Sequence, residues 1–237
     1  MNKVVRFIVV FLCMAAFAFV VFIALLITEK NNQEDTYYAA MTEFRDLIDA
    51  DEPDIDQINN LADNGVYCNG YYGSVEEASK KYIRDVFVPY FTIQKLAKTS
   101  VFKDGITKDI IKDGQPEFTD ALEAIEKMDN YLAVMYMAAD SLFSKEVALD
   151  YLGAGLDEYY IDMFIAQVEE LYTNKSMQRD MFNYYDEMTT KTKAYKEALE
   201  FLKANNGSWH LDDDKVIFST TALTNQYNQL LEKVGQK

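Results

Sequence analysis

The sequence predicts a mainly α-helical protein: an N-terminal transmembrane helix, then an extracytoplasmic helical bundle with one small β-hairpin at about 209–218. Three observations carry this. Residues 7–27 hold no charged side chain. The stretches 74–104, 115–152 and 156–206 lack glycine and are rich in Ala, Leu, Met, Glu and Lys, which are good helix formers. Around Asp212-Asp213-Asp214, Trp209-His210-Leu211 and Lys215-Val216-Ile217-Phe218 read as two short strands joined by an acidic turn.

The anchor comes first in the chain. A helix rises about 1.5 Å per residue and the hydrocarbon core is about 30 Å thick, so roughly 20 apolar residues span it. Phe7–Ile27 is long enough. A cleaved signal peptide needs a shorter apolar region, and although Ala16-Phe17-Ala18 imitates a cleavage site, the run continues past it to Ile27. A lipoprotein is disfavoured because Cys13 lies inside the run behind Val10-Phe11-Leu12. Lys3 and Arg6 precede the run, which puts residues 1–6 in the cytoplasm and residues 28–237 outside, at the periplasm or cell surface. Ala15, Ala16 and Ala18 would allow another helix to approach closely. The short tail and plain anchor suit a bacterial envelope protein.

Beyond the anchor, about 210 residues suit one domain with a sizeable core. Gln33 to Asp49 extends the anchor helix outward, Asp51-Glu52-Pro53 ends it, and Asp54 caps a short helix through Ala62. Ser74 and Glu77 form a capping box for a helix from Ser74 to Ser100, in which Pro89 predicts a kink or a split. Leu122, Ile125, Met128, Leu132, Met135, Ala139 and Leu142 form one apolar stripe; Leu156, Tyr160, Met163, Phe164, Gln167 and Leu171 form another. A last helix, capped by Ser219 or Thr220, runs from about Ala222 to Val234.

Composition narrows function by exclusion. With 39 acidic against 23 basic residues the net charge is −16, which argues against nucleic acid as partner. Without residues 1–30 the chain keeps 20 basic and 38 acidic residues, a charge of −18 that should hold the domain off an anionic membrane. A single histidine, His210, rules out a di-metal site built from two Glu-x-x-His motifs. No Gly-rich phosphate loop is present, and no nucleophile with a base stands out, so neither enzyme chemistry nor a cofactor is expected. Asp212–Asp214, and Asp51, Asp54 and Asp56, lack the spacing of a calcium loop, and no metal site is expected. Cys68 stands alone outside the membrane run and reads as a free thiol, with pairing between chains as the alternative. Asn174-Lys175-Ser176 and Asn206-Gly207-Ser208 match the glycosylation pattern.

The most suggestive segment is Gly65-Val66-Tyr67-Cys68-Asn69-Gly70-Tyr71-Tyr72-Gly73. Tyrosine offers large contact area at small entropic cost, and glycine lets a loop present it. Tyr67, Tyr71 and Tyr72 are therefore the candidate partner-binding residues; the competing expectation is that they fold back over one end of the bundle. The leading expectation is a membrane-anchored, non-enzymatic protein that binds another envelope protein, one with a basic surface. The alternative is a small-solute-binding module with an aromatic-lined cavity between helices.

Overall fold

The computed structural model describes residues 3–213 and 215–233, with side chains described from Phe17 onward except at Ser100 and Asp140. In chain order the elements are α1 (Lys3–Ile48), α2 (Ile55–Asn64), α3 (Gly70–Ala97), α4 (Ser100–Lys103), α5 (Lys108–Gly114), α6 (Thr119–Leu142), α7 (Lys145–Asp150), α8 (Glu158–Thr173), α9 (Lys175–Ala204), β1 (Trp209–Asp212), β2 (Lys215–Phe218) and α10 (Thr221–Glu232). The mainly helical class and the small antiparallel sheet are as the sequence predicts.

The anchor expected over Phe7–Ile27 is not supported by the described residues. Among them, no helix is long and apolar enough to cross a membrane. Residues 7–16 lie outside the residues whose side chains are described. Within residues 17–27, Phe17, Phe19, Val20 and Leu25 are all exposed. Helix α1 continues without a break from there to Ile48, as expected for the segment after Gln33.

The chain forms two compact units, one of residues 1–81 with 151–167, the other of 82–150 with 168–237. In the first, α1 buries Tyr37, Met41, Phe44 and Ile48, a three-and-four spacing that keeps one stripe inward. Ile58 and Ala62 of α2, Val75 and Ala78 of α3, and Met163 and Phe164 of α8 are buried in the same unit. The hydroxyl of Tyr37 donates to the carbonyl of Met163 at 3.4 Å, and Arg45 donates to that of Gln167 at 2.5 Å. Pro53 disfavours helix at the residue before it, and Asp54 Oδ1 starts α2 by accepting from the amides of Asp56 and Gln57 at 3.0 and 3.1 Å.

In the second unit, α6 packs along α9 through Ile125, Met128, Leu132, Tyr185, Met188, Tyr195 and Leu199. The hairpin pairs Trp209 with Phe218 and Asp212 with Lys215, and Asp213 turns it with φ +52°. Trp209 Nε1 donates to the carbonyl of Leu202 at 2.8 Å, which fastens the hairpin to the end of α9. Thr220 caps α10, whose Tyr227 is buried against Phe218 and Phe201.

At three points the structure is more specific than the sequence pattern. Helix α3 starts at Gly70 rather than Ser74; Ser74 Oγ turns back to the carbonyl of Gly70, and Glu77 pairs with Lys81 instead of forming a capping box. Of the kink or split expected at Pro89, the split does not occur: α3 runs on through Pro89, and Val86 and Ile93, about a turn to either side, are both buried. The stretch 156–206 is two helices, because Asn174 Oδ1 accepts from the amide of Met177 at 3.0 Å and begins α9 there.

Candidate functional site

The Tyr- and Gly-containing segment lies in the first unit, and what fixes it is a buried ion pair. Glu76 and Lys80, one turn apart on α3, are both fully buried, with Nζ to Oε1 at 2.6 Å. The Glu76 carboxylate also accepts from the amides of Tyr67 (3.0 and 3.1 Å) and Cys68 (2.9 Å). Lys80 donates to the carbonyl of Gly65 at 2.7 Å and stands 4.7 Å from the centre of the Tyr67 ring. A buried ion pair is tolerable only when its remaining hydrogen-bonding capacity is met, and here the loop backbone meets it. From α1, the side-chain carbonyl of Gln33 accepts from the amide of Asn69 at 2.9 Å, and the Gln33 backbone carbonyl lies 3.6 Å from Cys68 Sγ.

Two glycines are needed for this geometry. Gly70 holds φ +58°, where a side chain costs strain, and a Cβ on Gly73 would come within 2.7 Å of the Cys68 carbonyl oxygen. Residues 65–69 form a short loop held by these hydrogen bonds, and Tyr71 and Tyr72 lie in the first turn of α3.

The three candidate tyrosines part ways. Tyr67 and Tyr71 are about half exposed, at 49% and 52%, whereas Tyr72 is buried at 5%. Tyr72 is one member of an aromatic cluster with Tyr71 and with Tyr159 and Tyr160 of α8. Ring centres lie 5.2 Å apart for Tyr72–Tyr160 and Tyr159–Tyr160, 5.3 Å for Tyr71–Tyr160 and 6.5 Å for Tyr72–Tyr159. A hydroxyl chain runs through it: Tyr72 to Tyr159 at 3.3 Å, and Tyr159 donating to Glu34 Oε2 of α1 at 2.8 Å. Lys30 Nζ sits 4.4 Å over the Tyr159 ring. Burial, then the hydrogen bonds with Tyr72 and Glu34, push the Tyr159 hydroxyl pKa well above its ordinary value, so it stays a donor. Sequence reasoning missed Lys30, Glu34, Glu76, Lys80 and Tyr159, whose partners are far away in the chain or hidden among many similar charges.

The other sequence candidates sit apart from this cluster. His210 is exposed on β1, paired in register with Ile217. Asp212 and Asp213 are exposed at the hairpin turn, Asp214 lies outside the described residues, and Asp54 is occupied in capping α2. Among the described residues no group of three or more His, Cys, Asp or Glu could hold a metal ion. Cys68 is buried, and burial, reinforced by the Glu76 carboxylate, pushes its thiol up to about 12. A disulfide between chains would require the 65–69 loop to open first. Cys13 lies outside the residues whose side chains are described. Asn174 is occupied as a helix cap, and Asn206 is exposed.

In the second unit, the space between α3, α6 and α9 lined by Val86, Pro89, Met135, Leu142 and Tyr185 amounts to about 10 Å³, too little for a solute. An open cleft of about 540 Å³ lies between α5 and α6, rimmed by Asp104, Asp109, Asp113 and Asp120.

No protein-family model matches the chain. No curated protein matches it, and no solved structure does.

Proposed function

We propose that this chain is a membrane-tethered, non-enzymatic extracytoplasmic protein that binds another envelope protein, using Phe7–Ile27 as tether and the Tyr67–Tyr71 edge as the contact. The carrying observation is that two half-exposed tyrosines are presented on a backbone held by the fully buried Glu76–Lys80 pair. A rigid tyrosine loses little freedom on binding, and that is what makes it an effective contact residue. The tether reading rests on the uncharged run of residues 7–27, and Lys3 and Arg6 ahead of it support a cytoplasmic N-terminus. The charge of −16 favours a basic partner surface and an association that weakens with salt.

The test uses the full-length chain in its own membranes, with a photo-crosslinking residue at position 71. Capture of one stoichiometric protein, reduced at high salt, supports the reading. Tyr67→Ala and Tyr71→Ala should each weaken that complex at least about tenfold while leaving thermal stability in place. Unchanged binding in both variants overturns it. The solute-binding alternative has less support: the space between α3, α6 and α9 is too small for a solute, and among the described residues no aromatic lines the open cleft between α5 and α6.

A further inference from the structure

We propose that the tyrosine cluster of the first unit sits at the outer margin of the lipid headgroup layer, with its Tyr71–Tyr159 side facing zwitterionic headgroups. This rests on the tether reading above. The argument is one of height along a single helix. Helix α1 is unbroken from the described apolar residues through Ile27, Lys30 and Glu34 to Ile48. At about 1.5 Å per residue, Lys30 stands roughly 4.5 Å beyond Ile27 and Glu34 roughly 10 Å beyond it. The headgroup layer on each side of a bilayer is about 5–7 Å deep, so Lys30 falls within it and Glu34 just outside. An ordinary helix tilt of about 20° shortens these heights by only a few per cent.

Tyr159 is bound to both positions. Its ring lies 4.4 Å from the ammonium of Lys30 and its hydroxyl is 2.8 Å from the carboxylate of Glu34. Tyr160 and Tyr71 pack on from there, with ring centres at 5.2 and 5.3 Å. The aromatic cluster is thus fixed to the segment of α1 that leaves the apolar run, and Tyr71 and Tyr159 keep half-exposed and partly exposed rings outward. Tyrosine at the membrane–water interface gains from lying with its amphipathic ring at the level of the headgroups. The surrounding charges select the lipid. Glu29, Glu34, Asp35, Asp157 and Glu158 outnumber Lys30, so anionic headgroups are repelled and neutral ones are left. The general expectation that an acidic domain stands off the membrane therefore fails at this one face. A protein partner that reads Tyr67 and Tyr71 would meet them close to the bilayer surface.

The experiment places a fluorescent amino acid at position 71, 20 or 43 of the full-length chain in phosphatidylcholine nanodiscs, and measures quenching by nitroxides carried on the headgroup or deep in the acyl chain. Position 20 lies in the apolar run, and exposed Glu43 lies roughly 24 Å beyond Ile27 on α1. The probe at 71 should be quenched by the headgroup nitroxide several-fold more than the probe at 43, and this should decline when phosphatidylglycerol replaces part of the lipid. The probe at 20 should respond to the deep nitroxide. Quenching at 71 no greater than at 43, with position 20 still reporting acyl chains, overturns the headgroup seat while the tether stands. A protein adduct at 71 would then assign the whole cluster to the protein partner. If position 20 also behaves like 43, the tether reading itself falls.

Discussion

Replacing Lys80 by methionine tests whether the buried pair is what holds the tyrosine-bearing loop. Methionine keeps most of the volume and removes the charge, leaving the Glu76 carboxylate fully buried with only the Tyr67 and Cys68 amides as donors. Removing one partner of a buried pair costs about 3–5 kcal/mol. Because two charge-assisted amide bonds remain, the lower end applies, and about 3 kcal/mol is roughly a hundredfold in the equilibrium for opening the loop. Cys68 supplies the readout, since its thiol is buried between this loop and Gln33. In a Cys13→Ser background, a water-soluble maleimide at neutral pH should label Lys80→Met about a hundredfold faster than the parent, with far-ultraviolet dichroism unchanged. The charge effect works against this result: Lys80 lowers the thiol pKa, so its loss alone would slow labelling. Only opening of the loop can accelerate it. In the double variant Glu76→Leu/Lys80→Met labelling should stay fast, because two loop amides lose their acceptor at about 1–3 kcal/mol each. Labelling of Lys80→Met within about threefold of the parent refutes the assignment of the pair as the loop's fastening.

Three further outcomes follow from the same structure. Tyr72→Ala should cost about 3–5 kcal/mol, the range for deleting a buried aromatic, while Tyr71→Ala should cost less than about 1; thermal unfolding in mild detergent separates them, and equal costs would mean the cluster is not built around Tyr72. Burial holds the Tyr184 hydroxyl up to about 12 and raises those of Tyr37, Tyr82, Tyr185 and Tyr227 above the ordinary value, and Cys68 is raised likewise. A folded-state pKa above the unfolded one means stability is complete below about pH 9 and is lost as pH climbs toward the folded values, so Tm should be level from about pH 7 to 9 and fall above; a level Tm to about pH 11 contradicts the burial of these groups. At the hairpin turn, Asp213→Val should destabilise by about 1–2 kcal/mol because a branched side chain resists φ +52°, whereas Asp213→Gly should stay within about 0.5; equal effects in denaturant melts would mean the turn is not left-handed at 213.

Much of the fold was legible because it is written in apolar spacing. Ile125, Met128, Leu132 and Ala139 were placed on one stripe by period alone, and all four are buried. The hairpin was legible from its two β-rich runs and the acidic turn, and α2 from the Asp54 cap after Pro53. The misses are those where a polar side chain satisfied the backbone from an unexpected place. Ser74 looked like a helix start by pattern, but the loop amides before it were already taken by Glu76, so the helix could begin at Gly70. Asn174 divides two helices within a stretch whose composition is helical throughout, and nothing but the cap itself marks the break.

The site was less legible because its deciding groups are charges in a chain with 39 acidic residues. Glu76–Lys80, Glu77–Lys81 and Glu187–Lys191 are all pairs four apart on helices, and as motifs they cannot be told apart. Register does distinguish them. Tyr72, Val75, Ser79, Ile83 and Val86 mark the inward stripe of α3, and Glu76 and Lys80 fall on it, whereas Glu77 and Lys81 fall a step outside and remain partly exposed. A charged residue at an apolar register position carries a desolvation cost of several kcal/mol, and the fold keeps it only if something nearby satisfies it. Here that something is the backbone of residues 65–68. The two tyrosines left outward beside this loop, Tyr67 and Tyr71, are therefore the ones whose presentation the fold has fixed, and they are where a binding experiment has a defined surface to perturb.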